Sequence, residues 1–196
     1  SFTRETTNKA EFLVFTDKFQ CYKSRLSDFD DGKASLLGDF LPQKLGFETG
    51  ETITALVFCG DYKGFVLFFF ENGKAARVDL TAYKTTSNRR KLTGAYSDKA
   101  PLAAILRIDQ DRELAVYSTE PRCLIFHTAL LAPKSTRTTQ GVAVMHIKPK
   151  YHLETVKPLE ETSISNQSRY RVRAVPAAGA LLRQEDSEEQ QLGLLD

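Results

Sequence analysis

Arg89, Arg90 and Lys91 stand side by side near the middle of a 196-residue chain. Adjacent cations cannot neutralise one another, so the chemistry open to them is the neutralisation of something anionic. They are the densest point of a wider field. Residues 72–107 hold eight basic side chains (Lys74, Arg77, Lys84, Arg89, Arg90, Lys91, Lys99, Arg107) against two acids, Asp79 and Asp98. Residues 133–150 add Lys134, Arg137, Lys148 and Lys150 against no acid. Cations in this pattern bind phosphate by releasing counterions, and they position a nucleic acid without reading its sequence.

Other chemistries have little to stand on. His127, His146 and His152 lack metal-ligand partners at short spacing, and none sits in a nucleophile setting with Cys or Ser. Cys21, Cys59 and Cys123 are odd in number and far apart, which predicts reduced, structural thiols. There is no phosphate-binding Gly-Lys-Ser/Thr loop and no dinucleotide fingerprint. The expectation is a non-catalytic domain without metal, ATP or other cofactor.

The elements that must carry these cations repeat along the chain. The stretches "FLVFTDKFQCYKSRL" (12–26), "VLFFFENGKAARVDL" (66–80) and "LAVYSTEPRCLIFHT" (114–128) each read as strand, short polar turn, strand. Asn72-Gly73 suits such a turn because both residues tolerate positive φ. The turn centres Phe19, Gly73 and Pro121 lie 54 and 48 positions apart, and about 20 residues later come Gly38, Gly94 and Gly141. Beyond the glycines, "TITALVFC" (52–59), "LAAILRI" (102–108) and "VAVMHI" (142–147) read as further strands. Units of about 40–50 residues with about four strands each predict a propeller-like array in which every unit stacks on its neighbour. Three units are few for a closed ring, so the expected fold is all-β and open or crescent-shaped, with "SFTRETT" as an incoming strand. The segment "SRYRVRAVPAAGALL" (168–182) reads as a last strand returning to the array.

Composition sets the limits. No stretch approaches the roughly 20 apolar residues that span a bilayer, and the first ten residues lack the apolar core of a secretion signal. A cytoplasmic protein is expected. Residues 183–196 carry five acids against one base and too little apolar surface to fold, which predicts an array over 1–182 and a flexible acidic tail over 183–196. Acids 185–189 of that tail stand as candidates to compete with phosphate for the basic field; a merely solubilising tail is the other reading.

These landmarks in register, with "VFTDKF", "FFFENGKAARV" and "TGETI" as the nearest matches, resemble the C-terminal β-pinwheel of the A subunits of DNA gyrase and topoisomerase IV. The resemblance covers about residues 1–156, weakens through the third unit, and returns at "RYRVRAVPAAGALL". It implies a domain that binds duplex DNA on its rim, bends it, and belongs with a cleavage core and an ATPase B subunit. The strand-cleaving tyrosine of such enzymes lies in that core, so no tyrosine here takes that role. Supercoiling gyrases carry a Gln-Arg-Arg-Gly-Gly-Lys-Gly box; the positions here read "NRRKLTG" (88–94), "STRTTQG" (135–141) and "GKASLLG" (32–38), and only the first keeps the Arg pair and closing glycine. The chain therefore looks closer to topoisomerase IV or a divergent relative, in the nucleoid.

The candidate DNA-binding residues are thus Lys74, Arg77, Lys84, Arg89, Arg90, Lys91, Lys134, Arg137, Lys148 and Lys150. Arg77 has a second reading as an ion-pair partner of Asp79 or another acid. Lys148 and Lys150, flanking Pro149, could equally guard a strand edge. Phe68, Phe69 and Phe70 are read as core rather than as a base-stacking platform. As a whole, the alternative to DNA binding is a propeller-type module whose loops bind an acidic protein.

Overall fold

A computed structural model of the chain describes residues 11–25, 41–86 and 89–187. The three expected hairpins are β1 (Glu11–Thr16) with β2 (Gln20–Arg25), β4 (Phe65–Phe70) with β5 (Lys74–Asp79), and β8 (Glu113–Ser118) with β9 (Arg122–His127). Each has two six-residue strands. Phe19 and Gly73 take the left-handed conformation that closes the first two turns. Gly73 is required for a second reason: a Cβ there would lie 2.1 Å from the Met145 carbonyl oxygen, because the following repeat packs across the hairpin tip.

Each hairpin gains one strand on either side. On one side β3 (Ile53–Phe58) joins β1, β7 (Leu102–Ile108) joins β4, and β11 (Leu153–Pro158) joins β8, all antiparallel. These three strands lie near one another, β3 by β7 and β7 by β11. On the other side lie short strands: β6 (Lys91–Thr93) beside β2, β10 (Val142–Ala143) beside β5, and β12 (Ala180–Leu181) beside β9. The result is three four-stranded sheets, β3-β1-β2-β6, β10-β5-β4-β7 and β11-β8-β9-β12, in an open all-β array.

The short outer strands are exchanged. β6 follows the second hairpin in sequence yet completes the first blade, and β10 follows the third hairpin yet completes the second. Two expectations change accordingly. The counterpart of β7 in the third unit is residues 153–158, whereas "VAVMHI" supplies the outer strand of the blade before it. Gly94 and Gly141 are also not equivalent, since Gly94 follows its outer strand and Gly141 precedes its own. The returning segment 168–182 pairs with the third blade only through Arg171 opposite Ile125 and through β12; its start is a short helix, α2 (Gln167–Tyr170). The expected incoming strand at 1–7 and the segment 32–38 lie outside the described residues.

Packing explains the unbroken apolar run of β4. Val66, Phe68 and Phe70 face the first blade, where they join Leu13, Phe15 and Val57. Leu67 and Phe69, on the alternate face, join Leu114, Val116, Leu124 and Phe126 of the third. A middle blade is buried on both faces, so period-two alternation disappears from its sequence. Each such phenylalanine contributes about 1.5–3 kcal/mol by leaving water. Phe68 stacks on Tyr96 at 5.4 Å and Phe69 meets Phe126 edge-on at 6.2 Å, which makes the phenylalanine run core.

The two outward faces are covered by chain that is not blade. Phe12, Val14 and Tyr22 of the first blade lie under Leu45, at the end of α1 (Leu41–Leu45), and Phe47. Ala115, Cys123 and Ile125 of the third lie under Ile164 and Tyr170. The chain does not leave the domain at Arg183. Gln184–Asp186 form a 3-10 turn, and the Asp186 carboxylate, 1% exposed, accepts from the Tyr170 hydroxyl at 2.7 Å and from the Ser165 amide at 2.8 Å. The expected tail is therefore part of the third blade's cover as far as Ser187, and Asp186 is held there rather than presented to the basic field. The acidic residues beyond lie outside the described residues.

Candidate nucleic-acid interface

Strand exchange creates two crossovers on the outer edge. The first, residues 80–90, leads from β5 of the second blade to β6 on the first. The second, residues 128–141, leads from β9 of the third blade to β10 on the second. Both open with a 3-10 turn, Leu80–Tyr83 and Thr128–Leu130, that drops an apolar residue into the core: Tyr83 in one, Leu131 just after the other.

The first crossover carries Lys84, Arg89 and Arg90, all exposed. The Thr85 hydroxyl donates to the Arg89 carbonyl at 2.9 Å and the Arg89 amide to the Thr86 carbonyl at 3.2 Å, so the backbone that holds the arginine pair is itself closed. Lys84 lies 5.8 Å over the Tyr62 ring. Lys91, one residue on, is half-engaged: its ammonium is 3.6 Å from Glu48 and 5.8 Å over Tyr22.

On the second crossover Lys134 is exposed, and its side chain has no ion pair or hydrogen bond among the described residues. Its backbone is fixed, the amide donating to the Arg77 carbonyl at 2.8 Å and the carbonyl accepting from Asp79 at 2.9 Å. Arg137 is turned back on the protein, its guanidinium donating to the Ala82 carbonyl at 3.0 Å. That bond joins the two crossovers directly, and Thr138 also approaches the Gly94 position just past β6. Lys84, Arg89, Arg90 and Lys134 therefore stand on two linked loops along neighbouring blade edges.

The other expected residues sit elsewhere. Arg77 is 6% exposed: it donates to Asp111 at 2.7 Å and to the Thr128 carbonyl at 3.0 Å, and its guanidinium lies 3.9 Å over the Phe65 ring. A cation committed to an acid, carbonyls and an aromatic face is not available to phosphate, so Arg77 is removed from the candidate surface. Asp111, rather than the adjacent Asp79, is the acid that takes it. Lys74 is at the start of β5 beside β10, at the hairpin tip. Lys148 is 3.0 Å from Glu120, whose pKa it holds below the usual carboxylate range, and with exposed Lys150 it belongs to the chain crossing that tip. Lys148 and Lys150 lie away from the crossovers, whereas Lys74, opposite Ala143, stands beside the end of the second one.

Two cations escape a reading by charge density. Lys23 is the fourth residue of β2, as Arg77 is of β5, and its ammonium donates to the Thr85 carbonyl of the first crossover at 3.3 Å. Setting the outgoing strands one above another would have found it. Arg173 is exposed on the chain that runs from β11 to β12 within the third blade, which charge counting passes over because Glu160 and Glu161 precede it. As for nucleophiles, burial pushes the Cys59 thiol up to about 11 and the Cys123 thiol up to about 12, so both stay protonated at neutral pH. No group of three or more His, Cys, Asp or Glu gathers among the described residues. No helix among them is long and apolar enough to cross a membrane.

An open array of hairpin blades, each completed by an outer strand from farther along the chain and joined by basic crossovers, is a β-pinwheel. The fold is that of the C-terminal domains of type IIA topoisomerase A subunits. The C-terminal domain of DNA topoisomerase IV superposes with a TM-score of 0.68 at 20% identity over 81% of this chain. The DNA gyrase A C-terminal domain gives 0.62 at 16% over 92%, and the E. coli ParC C-terminal domain 0.67 at 12% over 91%. This chain spans 50%, 64% and 79% of those three domains, respectively. No family model matches the sequence, and no curated protein sequence matches it significantly.

Proposed function

We propose that this domain binds duplex DNA without sequence preference along the edge formed by its two crossovers, and bends it there. The observation that carries the reading is the linkage of the crossovers: Lys84, Arg89, Arg90 and Lys134 are exposed on neighbouring blade edges that Arg137 ties together. Four phosphate contacts give a log–log salt slope of about −3 to −4. Smooth bending of a 20–30 bp segment costs on the order of 1–6 kcal/mol, so contacts on a single loop would not hold bent DNA while contacts on successive blades can. The likeness to topoisomerase IV and gyrase A domains supports the same reading. It further suggests a role accessory to an ATP-dependent type IIA topoisomerase, with cleavage core and ATPase subunit supplied elsewhere, no cofactor in this domain, and a place in the cytoplasm on the nucleoid.

The test is duplex affinity against salt for a 20 bp and a substantially longer fragment, with Arg89→Ala/Arg90→Ala alongside. A steep slope, tighter binding to the longer fragment and a loss in the double variant are expected. Absence of binding at low salt would overturn the reading and leave the loops as a surface for an acidic protein.

A further inference from the structure

We infer that Lys23 and Arg77 are a repeated clamp: one cation at the same place in successive blades that fixes the crossover arriving from the next unit and so aims its exposed cations. The functional half of this inference rests on the duplex-DNA reading above. Both residues are fourth in the outgoing hairpin strand, and both donate to carbonyl oxygens of a crossover. Lys23 reaches Thr85 at 3.3 Å; Arg77 reaches Thr128 at 3.0 Å and Leu131 at 3.5 Å. Thr85 and Leu131 lie at or just past the end of the 3-10 turn that opens each crossover, immediately before the stretch that carries Arg89 or Lys134. The Thr85 and Leu131 carbonyls lie just beyond the turns' own hydrogen bonds, so a side-chain donor can satisfy them, and the Thr128 carbonyl takes Arg77 in addition to the Leu131 amide. Backbone bonds complete the joint in both blades, from the Lys23 amide to the Arg90 carbonyl and from the Lys134 amide to the Arg77 carbonyl.

The third unit shows what replaces the clamp. Its fourth residue is Ile125, which cannot donate, and the cation is found on the crossing chain instead, where Arg171 sits opposite Ile125 and grips Glu113 at 2.7 Å and 3.0 Å. The joint keeps a cation while the residue that supplies it moves to the other strand. Neither Lys23 nor Arg77 needs to touch DNA for this role; they are positioning residues.

The experiment uses Arg77→Met and Arg77→Lys, each alone and with Lys134→Ala. Arg77→Met leaves Asp111 able to hydrate, since its side chain is 40% exposed, so folding should survive; Lys23→Met, at a half-buried site in β2 that holds the other crossover, is the companion variant if it does not. Amide exchange at Leu131 and Lys134 is expected to quicken by about tenfold in Arg77→Met and by less in Arg77→Lys, since Lys23 makes the same joint with a lysine, and this reads the joint without any DNA. Duplex affinity is expected to fall by about three- to tenfold in Arg77→Met, with Lys134→Ala adding nothing further. Recovery of affinity in Arg77→Lys with amide exchange still as fast as in Arg77→Met would make Arg77 a phosphate contact and overturn the clamp. Unchanged amide exchange, or additive losses with Lys134→Ala, would overturn it too. Quickened exchange in a protein whose native form binds no DNA would uphold the joint and sink only the DNA reading.

Discussion

The Arg137 guanidinium donates to the carbonyl oxygen of Ala82 at 3.0 Å, joining residues 55 apart in sequence. Through this bond the crossover leaving the third blade is pinned to the one leaving the second. Among the described residues its Nε is buried without a hydrogen-bond partner and no acid pairs with it, so the side chain is held by this bond and by packing. Arg137→Ala is expected to cost about 1.5–3 kcal/mol, the usual worth of a charge-assisted hydrogen bond. Chemical denaturation checks the figure, and a loss under about 0.5 kcal/mol, as for an ordinary surface change, would return Arg137 to the candidate phosphate contacts.

Gly141 and Gly94 separate backbone strain from steric exclusion. Both have positive φ, but a Cβ on Gly141 would lie 2.2 Å from the Ala75 carbonyl oxygen, whereas on Gly94 it would meet only a Thr138 methyl at 3.4 Å. Gly94→Ala should cost about 1–2 kcal/mol, the left-handed penalty alone. Gly141→Ala must also push β10 off β5, and thermal melts should show a loss several times larger.

Asp186 gives the fold a defined acid sensitivity. Burial raises its pKa, but hydrogen bonds from the Tyr170 hydroxyl and from Ser165 more than offset this, and the net value lies below the ordinary aspartate range. A depressed folded-state pKa means that its contribution is complete above the unfolded value of about 3.9 and is lost as pH falls through the folded one. At pH 7 Asp186→Asn should lower the melting temperature; near pH 2 the gap between variant and native protein should shrink. A gap that is constant with pH would show that ionisation of Asp186 plays no part.

Lys134 and Lys148 should part company in DNA binding. Lys134 projects from a crossover with no partner for its ammonium among the described residues, while Lys148 is paired with Glu120 at the hairpin tip. Lys134→Ala is expected to flatten the log–log salt slope by about 0.9 and Lys148→Ala to leave it nearly unchanged. Equal effects would move the interface from the crossovers to the tips.

Much of the architecture is legible in the amino-acid sequence alone. Hairpins announce themselves through short-range signals, namely apolar runs of strand length broken by Asp17-Lys18, Asn72-Gly73 or Glu120-Pro121, and these recur at a nearly even spacing along the chain. The density of cations over 72–107 and 133–150 is likewise a property of the chain itself. Tertiary structure decided what those signals cannot carry. A strand as short as Val142–Ala143 has no periodicity to read, and its pairing with β5 depends on Gly141 fitting against Ala75 from 66 positions away (141−75). Arg77 reads as one more surface base in sequence, yet Asp111, 34 residues on, and the face of Phe65 make it interior. Turn chemistry and strand pattern act over a few neighbours, whereas the burial of a charge is set by whichever distant groups the fold brings to it.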